Sequence, residues 1–274
     1  MRIFIRYGEN MIGVFDSGLG GLTAIRSLEQ LLPNEKIIYF GDTGRVPYGT
    51  RTRDTVIKYA MQDMRFLSSH NVDAVLIACG TVSSTAIEKI RDTFKIPVFG
   101  VVEPSAERAV KMTKNKIIGV IGTGVTVSSG SFENAIHSID PDVKVISRAC
   151  PLFVPLVENG FVNRDNEITR LTAEYYLKEI RESGADTLIL GCTHFPIIAD
   201  IISDVLPGVE LVNSGEEAAY AVKRSLRSLG LLKCEGEGVD FYVSENSGNF
   251  GRIAEMFLGH SVRGNVTSID IEKY

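Results

Sequence analysis

The sequence has no tryptophan, only four histidines and only four cysteines, and each scarcity narrows the chemistry available to it. The cysteines, at positions 79, 150, 192 and 234, lie too far apart for a disulfide framework, and no CxxC pair suggests zinc. Such sparse cysteine usage suits a reducing compartment. No apolar run approaches the length that spans a bilayer, so no membrane association is expected. No basic stripe is present either: the net charge is −5, and the densest basic stretch, residues 111–116, reads as a solvated helix end. A general nucleic-acid partner is therefore not expected. The N-terminal MRIFIRYGEN carries two arginines but neither a long apolar core nor a small-residue cleavage site, so it does not read as a signal peptide. The expected location is the cytoplasm, and residues 1–10 are assigned no function.

What the chain does have is a steady alternation of short apolar runs with helical stretches, the pattern of parallel α/β layers. Strands are predicted over residues 11–15, 36–41, 74–78, 96–101, 117–121, 143–147, 187–190, 210–212, 241–244 and 266–271. Helices are predicted over 22–32, 52–69, 83–94, 104–111, 126–137, 167–183, 196–206, 215–229 and about 250–257. At 274 residues there is room for one or two compact domains, and no Pro/Ser-rich linker marks a boundary.

A boundary is suggested instead by an internal doubling. LILGCTHFP, residues 188–196, and VLIACGTVSS, residues 75–84, share one build: a preceding aspartate, a short apolar run, a small residue, then cysteine. Aligning Asp73 with Asp186 places Cys79 on Cys192 and Thr81 opposite His194. This predicts one domain of residues 1–98 plus 213–274, carrying Cys79, and a second of residues 99–212, carrying Cys192. Ligands of open α/β sheets bind beyond the carboxyl ends of the strands, where both cysteines fall. A helix follows each, and its N-terminus is expected to favour thiolate over thiol. Cys150 and Cys234 lack such polar surroundings and read as structural.

Two facing thiols admit a redox pair, a metal site built from Cys79, Cys192 and His194, or acid–base catalysis from opposite faces of one substrate. The first lacks CxxC spacing, and the second has too few histidines for supporting ligands. The third explains the doubling, because inverting a stereocentre needs a base on one side and an acid on the other. Nearby motifs fit a small polar substrate. FDSGLGGL, residues 15–22, lacks GxGxxG spacing, and Asp16 with Ser17 suits an ammonium better than a phosphate. GDTGRVPYGTR, residues 41–51, reads either as a plain turn or as a loop whose Tyr48 and Gly49 close over the substrate, and Glu158 in PLFVPLVENG reads either as a carboxylate that orients His194 or as a solvated acid.

Taken together these segments resemble glutamate racemase, of the aspartate/glutamate racemase superfamily. The resemblance is carried by DSGLGGLT at 16–23, GDTGRVPYGTR at 41–51, ACGTVSSTA at 78–86, GVVEPS at 100–105, ACPLFVPLVENG at 149–160 and LGCTHFP at 190–196. It implies an α/β fold of two similar, pseudo-two-fold-related domains with mainly parallel sheets and the site in the cleft between them. It implies cofactor-independent interconversion of L- and D-glutamate, without metal, for peptidoglycan precursors, by a homodimer. It implies that Cys79 and Cys192 are the acid/base pair, assisted by Asp16 and by His194 with Glu158. Asp16, Ser17, Tyr48, Gly49, Gly80, Thr81, Thr193 and His194 match the substrate-contacting positions. One position departs: the family carries asparagine after the first cysteine and this chain carries Gly80, leaving its backbone N–H, Thr81 and Thr123 to take up the contact. The alternatives are a racemase for another amino acid, such as aspartate, and a non-catalytic amino-acid-binding homologue.

Overall fold

The structure, a computed structural model, describes residues 11–232, 236, 238–246, 250–262 and 266–274; Cys234 and residues 1–10 lie outside the described residues. The chain runs β1 (Met11–Asp16), α1 (Leu22–Leu31), β2 (Lys36–Gly41), α2 (Arg53–Ser69), β3 (Ala74–Ile77), α3 (Gly80–Thr85), α4 (Ile87–Thr93), β4 (Val98–Phe99), α5 (Val102–Met112) and β5 (Ile117–Gly122). It continues through α6 (Gly124–Ser128), α7 (Ser131–Ile139), β6 (Lys144–Ala149), α8 (Phe153–Glu158), α9 (Glu167–Ser183), β7 (Thr187–Leu190), α10 (Ala199–Val205), β8 (Glu210–Asn213) and α11 (Ser214–Leu229). The last described elements are β9 (Val239–Val243), α12 (Phe250–Leu258) and β10 (Val266–Ser268).

The strands form two sheets, ordered β10-β9-β2-β1-β3-β4 and β6-β5-β7-β8. Every described pairing is parallel. Parallel strands covered on both faces must be apolar throughout, and the centres of both sheets obey this. AVLI of β3 and TLIL of β7 are buried at every position. The core order β2-β1-β3-β4 recurs as β6-β5-β7-β8, and the register recurs too: Ile77 pairs with Phe15, and Leu190 with Ile121. The doubling seen in the sequence is thus a doubling of the fold. Asp73 and Asp186 occupy matching stations at the entries of β3 and β7, where Asp73 accepts from Met11 N and Asp186 from Lys114 N. Helix α11 packs on both α1 and α5, and the larger apolar core draws residues from both sheets. Among the described residues, no helix is long and apolar enough to cross a membrane.

Several predicted elements differ in detail, each for a local reason. The helix after Cys79 begins at Gly80 rather than Ser83, because the Ser/Thr run GTVSST satisfies its own turn: Ser84 Oγ donates to Gly80 O and Thr85 Oγ1 to Thr81 O, both at 2.7 Å. The stretch 126–137 is two helices, broken where Gly130 adopts φ 66°. The run 96–101 contributes only the two-residue edge strand β4, since Pro97 has no N–H to give a ladder. The segment 196–206 opens as a 3-10 turn, Phe195–Ile198. PLFVPLVENG contains α8, which its apolar run did not announce.

Candidate active site

In both sheets the connections after the first and third strands of the repeated unit leave in opposite directions, the place where open α/β sheets hold ligands. The loops leaving β1, β3, β5 and β7 enclose one cavity of about 310 Å³. Ser17 lines it after β1, Cys79, Gly80 and Thr81 after β3, Thr123 after β5, and Cys192, Thr193 and His194 after β7. Tyr48 and Gly49 close one side, and Glu158 of α8 closes another. Asp16 alone of the predicted residues stands behind the lining, 1% exposed.

On the β3 wall, the Cys79 thiol donates to Ser17 Oγ at 3.4 Å. The expectation that a helix N-terminus would favour its thiolate is overturned. Burial pushes the Cys79 thiol up to about 12, and the nearby Asp16 carboxylate adds to the rise. A six-residue helix does not offset the loss of water. Asp16 is itself raised by burial, against the opposing effects of His194 and the N–H groups of Gly21, Gly18 and Ser17. Its Oδ2 accepts from Gly18 N at 3.0 Å, while its buried Oδ1 has no hydrogen-bond partner. Cys79 therefore rests as a thiol beside a carboxylate with one free oxygen.

The β7 wall is built differently. Cys192 Sγ lies 3.9 Å from His194 Nδ1, and His194 Nε2 lies 2.9 Å from Glu158 Oε1. Burial alone would lower the imidazole; the bonds to Cys192 and Glu158 outweigh it and raise His194 to about 10. His194 is thus an imidazolium at neutral pH, one nitrogen on the carboxylate and the other facing the sulfur. Thr193 Oγ1 is 3.3 Å from the same Nδ1. The two walls meet through Thr81 Oγ1 and Thr123 Oγ1, 3.0 Å apart, and through Thr23 Oγ1, which donates to Thr193 O at 3.2 Å.

Tyr48 lines the cavity, but its hydroxyl turns away from it. The hydroxyl donates to Asp42 Oδ2 and lies 3.3 Å from Asp63 Oδ2. Both carboxylates are fully buried, and Arg45 bridges them, with Nε 2.6 Å from Asp42 and Nη2 3.2 Å from Asp63. The guanidinium stacks over the Tyr59 ring at 4.1 Å and reaches Gln62 and Glu272. Burial and the neighbouring Asp42 hold Asp63 well above the usual carboxylate range, against the pull of Arg45. Asp63 is thus pushed towards its neutral form, of which an amide is a near-isostere, whereas Asp42 carries the short contacts. Accordingly Asp42→Asn is expected to destabilise the fold by about 3 kcal/mol and Asp63→Asn by no more than about 1 kcal/mol. Urea denaturation of the two variants measures this; equal losses would contradict the reading that Asp63 is pushed towards its neutral form and Asp42 carries the short contacts.

The lining also includes Gly18, Val46, Pro47, Thr50, Gly124, Pro151, Val154, Pro155 and Gly191, which the sequence reading did not single out. The signal for most of them was adjacency to a motif already noted; Val154 and Pro155 became visible only with α8. Cys150 is fully buried and its thiol donates to Arg148 O at 3.7 Å, a packed position outside the lining.

Matching sheets that bring two cysteines to one cavity, each beside its own polar neighbour, fit an amino-acid racemase architecture, and the chain belongs to the Asp/Glu/Hydantoin racemase family, whose model matches residues 12–222. Its similarity within that family is to glutamate racemases. It is 44% identical to the glutamate racemase of Geobacter metallireducens over 95% of this chain and 97% of that one. It is 46% identical to the glutamate racemase of Neisseria meningitidis over 93% of this chain and 94% of that one. The crystal structure of glutamate racemase from Francisella tularensis in complex with D-glutamate matches with a TM-score of 0.91 at 36% identity, covering 97% of this chain and 99% of that chain.

Proposed function

We propose that this chain is an isomerase that interconverts L- and D-glutamate without a cofactor, using Cys79 and Cys192 as its two acid/base groups. The observation that carries the reading is their placement: two thiols, on equivalent turns of the two sheets, line one small cavity and have unlike proton partners. In one direction the Cys192 sulfur, as thiolate, takes the Cα proton; its S–H bond forms as Cα–H breaks, and the electron pair left on Cα spreads into the α-carboxylate. The Cys79 thiol then gives its proton to the opposite face, and the roles exchange for the reverse reaction. His194, held by Glu158, exchanges a proton with Cys192, and the free Oδ1 of Asp16 is available to do so for Cys79. The carbanion-like transition state needs preorganised donors in a dry site, a role suited to the Ser17, Gly49, Gly80, Thr81, Thr123, Thr193 and His194 wall around it.

The reading extends to the rest of the molecule. The six-stranded sheet is read as the centre of a domain of residues 1–98 plus 213–274 and the four-stranded sheet as that of a domain of residues 99–212, although Phe99 still pairs in the first sheet and Asn213 in the second. D-Glutamate made in the cytoplasm supplies peptidoglycan precursors. The enzyme is a homodimer, a partner suited to the exposed Ile168, Leu171 and Tyr175 on α9; sedimentation equilibrium is expected to give twice the chain mass. Purified protein, with no cofactor added, is expected to racemise both glutamate enantiomers, followed by circular dichroism of the substrate. Turnover of aspartate but not glutamate would move the substrate assignment to the shorter acid, and tight glutamate binding without turnover would make this a binding protein.

A further inference from the structure

We propose that Arg45 is a positioning residue for substrate binding: from outside the cavity it holds residues 46–50, the segment that closes one side, in the arrangement that binds glutamate. This role presupposes the glutamate site read above and deepens it. Val46, Pro47, Tyr48, Gly49 and Thr50 all line the cavity, whereas Arg45, Asp42 and Asp63 do not. The segment spans both halves of the site. A Cβ on Gly18 would lie 3.0 Å from Val46, and one on Gly49 would lie 2.8 Å from Thr123. It therefore packs on the turn after β1 at one end and on the turn after β5 at the other.

No ladder backs those packing contacts. Among the described residues, no backbone hydrogen bond runs from residues 46–50 to either sheet. Their polar tie to the fold is the Tyr48 hydroxyl, which donates to Asp42 Oδ2 beside Asp63 Oδ2. Two buried carboxyl groups around one hydroxyl need a cation to keep them there, and Arg45 supplies it. Its Nε donates to the same Asp42 Oδ2 at 2.6 Å, its Nη2 to Asp63 Oδ1 at 3.2 Å and its Nη1 to Gln62 Oε1 at 2.6 Å. Its plane covers the Tyr59 ring, whose centroid lies 5.3 Å from that of Tyr48. Tyr59, Gln62 and Asp63 share one face of α2, three and four residues apart. One guanidinium thus fastens the segment to a helix that does not reach the cavity. A lysine keeps the charge but has neither the fork nor the plane, so it cannot hold both carboxyl groups and the ring at once.

A wall that is in its binding arrangement only part of the time weakens apparent affinity by that fraction, while the complex, once formed, reacts as before. Arg45→Lys, by cutting the fraction to about a tenth, is expected to raise KM for glutamate about 10-fold and to leave kcat within about 2-fold. A merely structural role would do the opposite, lowering the melting temperature and the active fraction, hence apparent kcat, with KM unchanged. A folded Arg45→Lys protein with wild-type KM would overturn the proposal. Should that variant not fold, Tyr48→Phe decides. It removes the tie and leaves the ring on the cavity, so KM should rise likewise, and an unchanged KM would overturn the proposal. Should the wild type bind D-glutamate without racemising it, the same weakening read by calorimetry leaves the role of Arg45 standing and removes only the reaction. Should it do neither, trypsin cleavage after Arg51 decides without substrate: faster cutting in Arg45→Lys supports a loosened segment, and equal rates overturn it.

Discussion

Replacing either Cys79 or Cys192 with serine is expected to lower kcat for glutamate racemisation by about 100- to 10,000-fold, the range ascribed to a positioned acid or base. Serine keeps the size and the hydrogen-bonding capacity of the side chain, so the cavity should survive, and calorimetric binding of D-glutamate should persist in both variants. The two losses are expected to be comparable, because the proposed mechanism calls on both sulfurs in either direction, one to remove a proton and one to return it. What should differ is how each variant responds to its surroundings. Cys79 starts as a thiol, pushed up to about 12 by burial and by Asp16, so Asp16→Asn should affect the steps in which Cys79 must shed its proton. Full activity in either serine variant, in folded protein, would remove that cysteine from the chemistry.

The second large effect belongs to His194. His194→Asn removes the imidazolium that faces Cys192 Sγ across 3.9 Å and is expected to lower kcat about 100-fold. The same group leaves a mark on stability whose sign follows from its titration. The folded imidazole is raised to about 10 from an ordinary 6.5, so the folded state holds a proton that the unfolded chain releases first. Its contribution is whole below about pH 6.5 and is lost as pH rises through about 10. Cys79 acts in the same sense only above its ordinary 9.0, and the raised Asp63 acts alike in wild type and His194→Asn, so the difference between the two proteins from pH 7 to 9 belongs to His194. The wild-type melting temperature should fall across that window more than that of His194→Asn. Glu158→Gln, which removes one of the two supporting bonds, should bring the His194 titration below 10, read from imidazole NMR signals. A melting temperature that changes with pH alike in wild type and His194→Asn would contradict the imidazolium assignment.

Much of this site could be read from the chain because its parts are local. A fully apolar run ending in cysteine announces a buried parallel strand with a thiol at its carboxyl end, and two copies in the same frame announce the repeat of β3 and β7. The pairing of Glu158 with His194 was one of two open readings on the residues alone and was chosen only through the resemblance, since the six-residue helix that aims Glu158 into the cavity was not predicted. Asp42 and Asp63 were beyond reach: they stand on β2's exit and on α2, and only the folded chain clamps them around Arg45. The ionisation of Cys79 was misjudged because proximity to a helix N-terminus is visible in sequence, whereas full burial beside a carboxylate is not. Gly80 was seen as a missing amide; that its Cα faces the carbonyl of Gly191, 111 positions along the chain, appears only in three dimensions.

The most direct test of the account is proton NMR of L-glutamate in D2O with the purified, reduced protein and no added cofactor, with circular dichroism following handedness in the same sample. The account predicts that the Cα proton signal disappears as the optical signal decays towards the racemate. A folded sample with intact thiols that leaves both signals unchanged would contradict it.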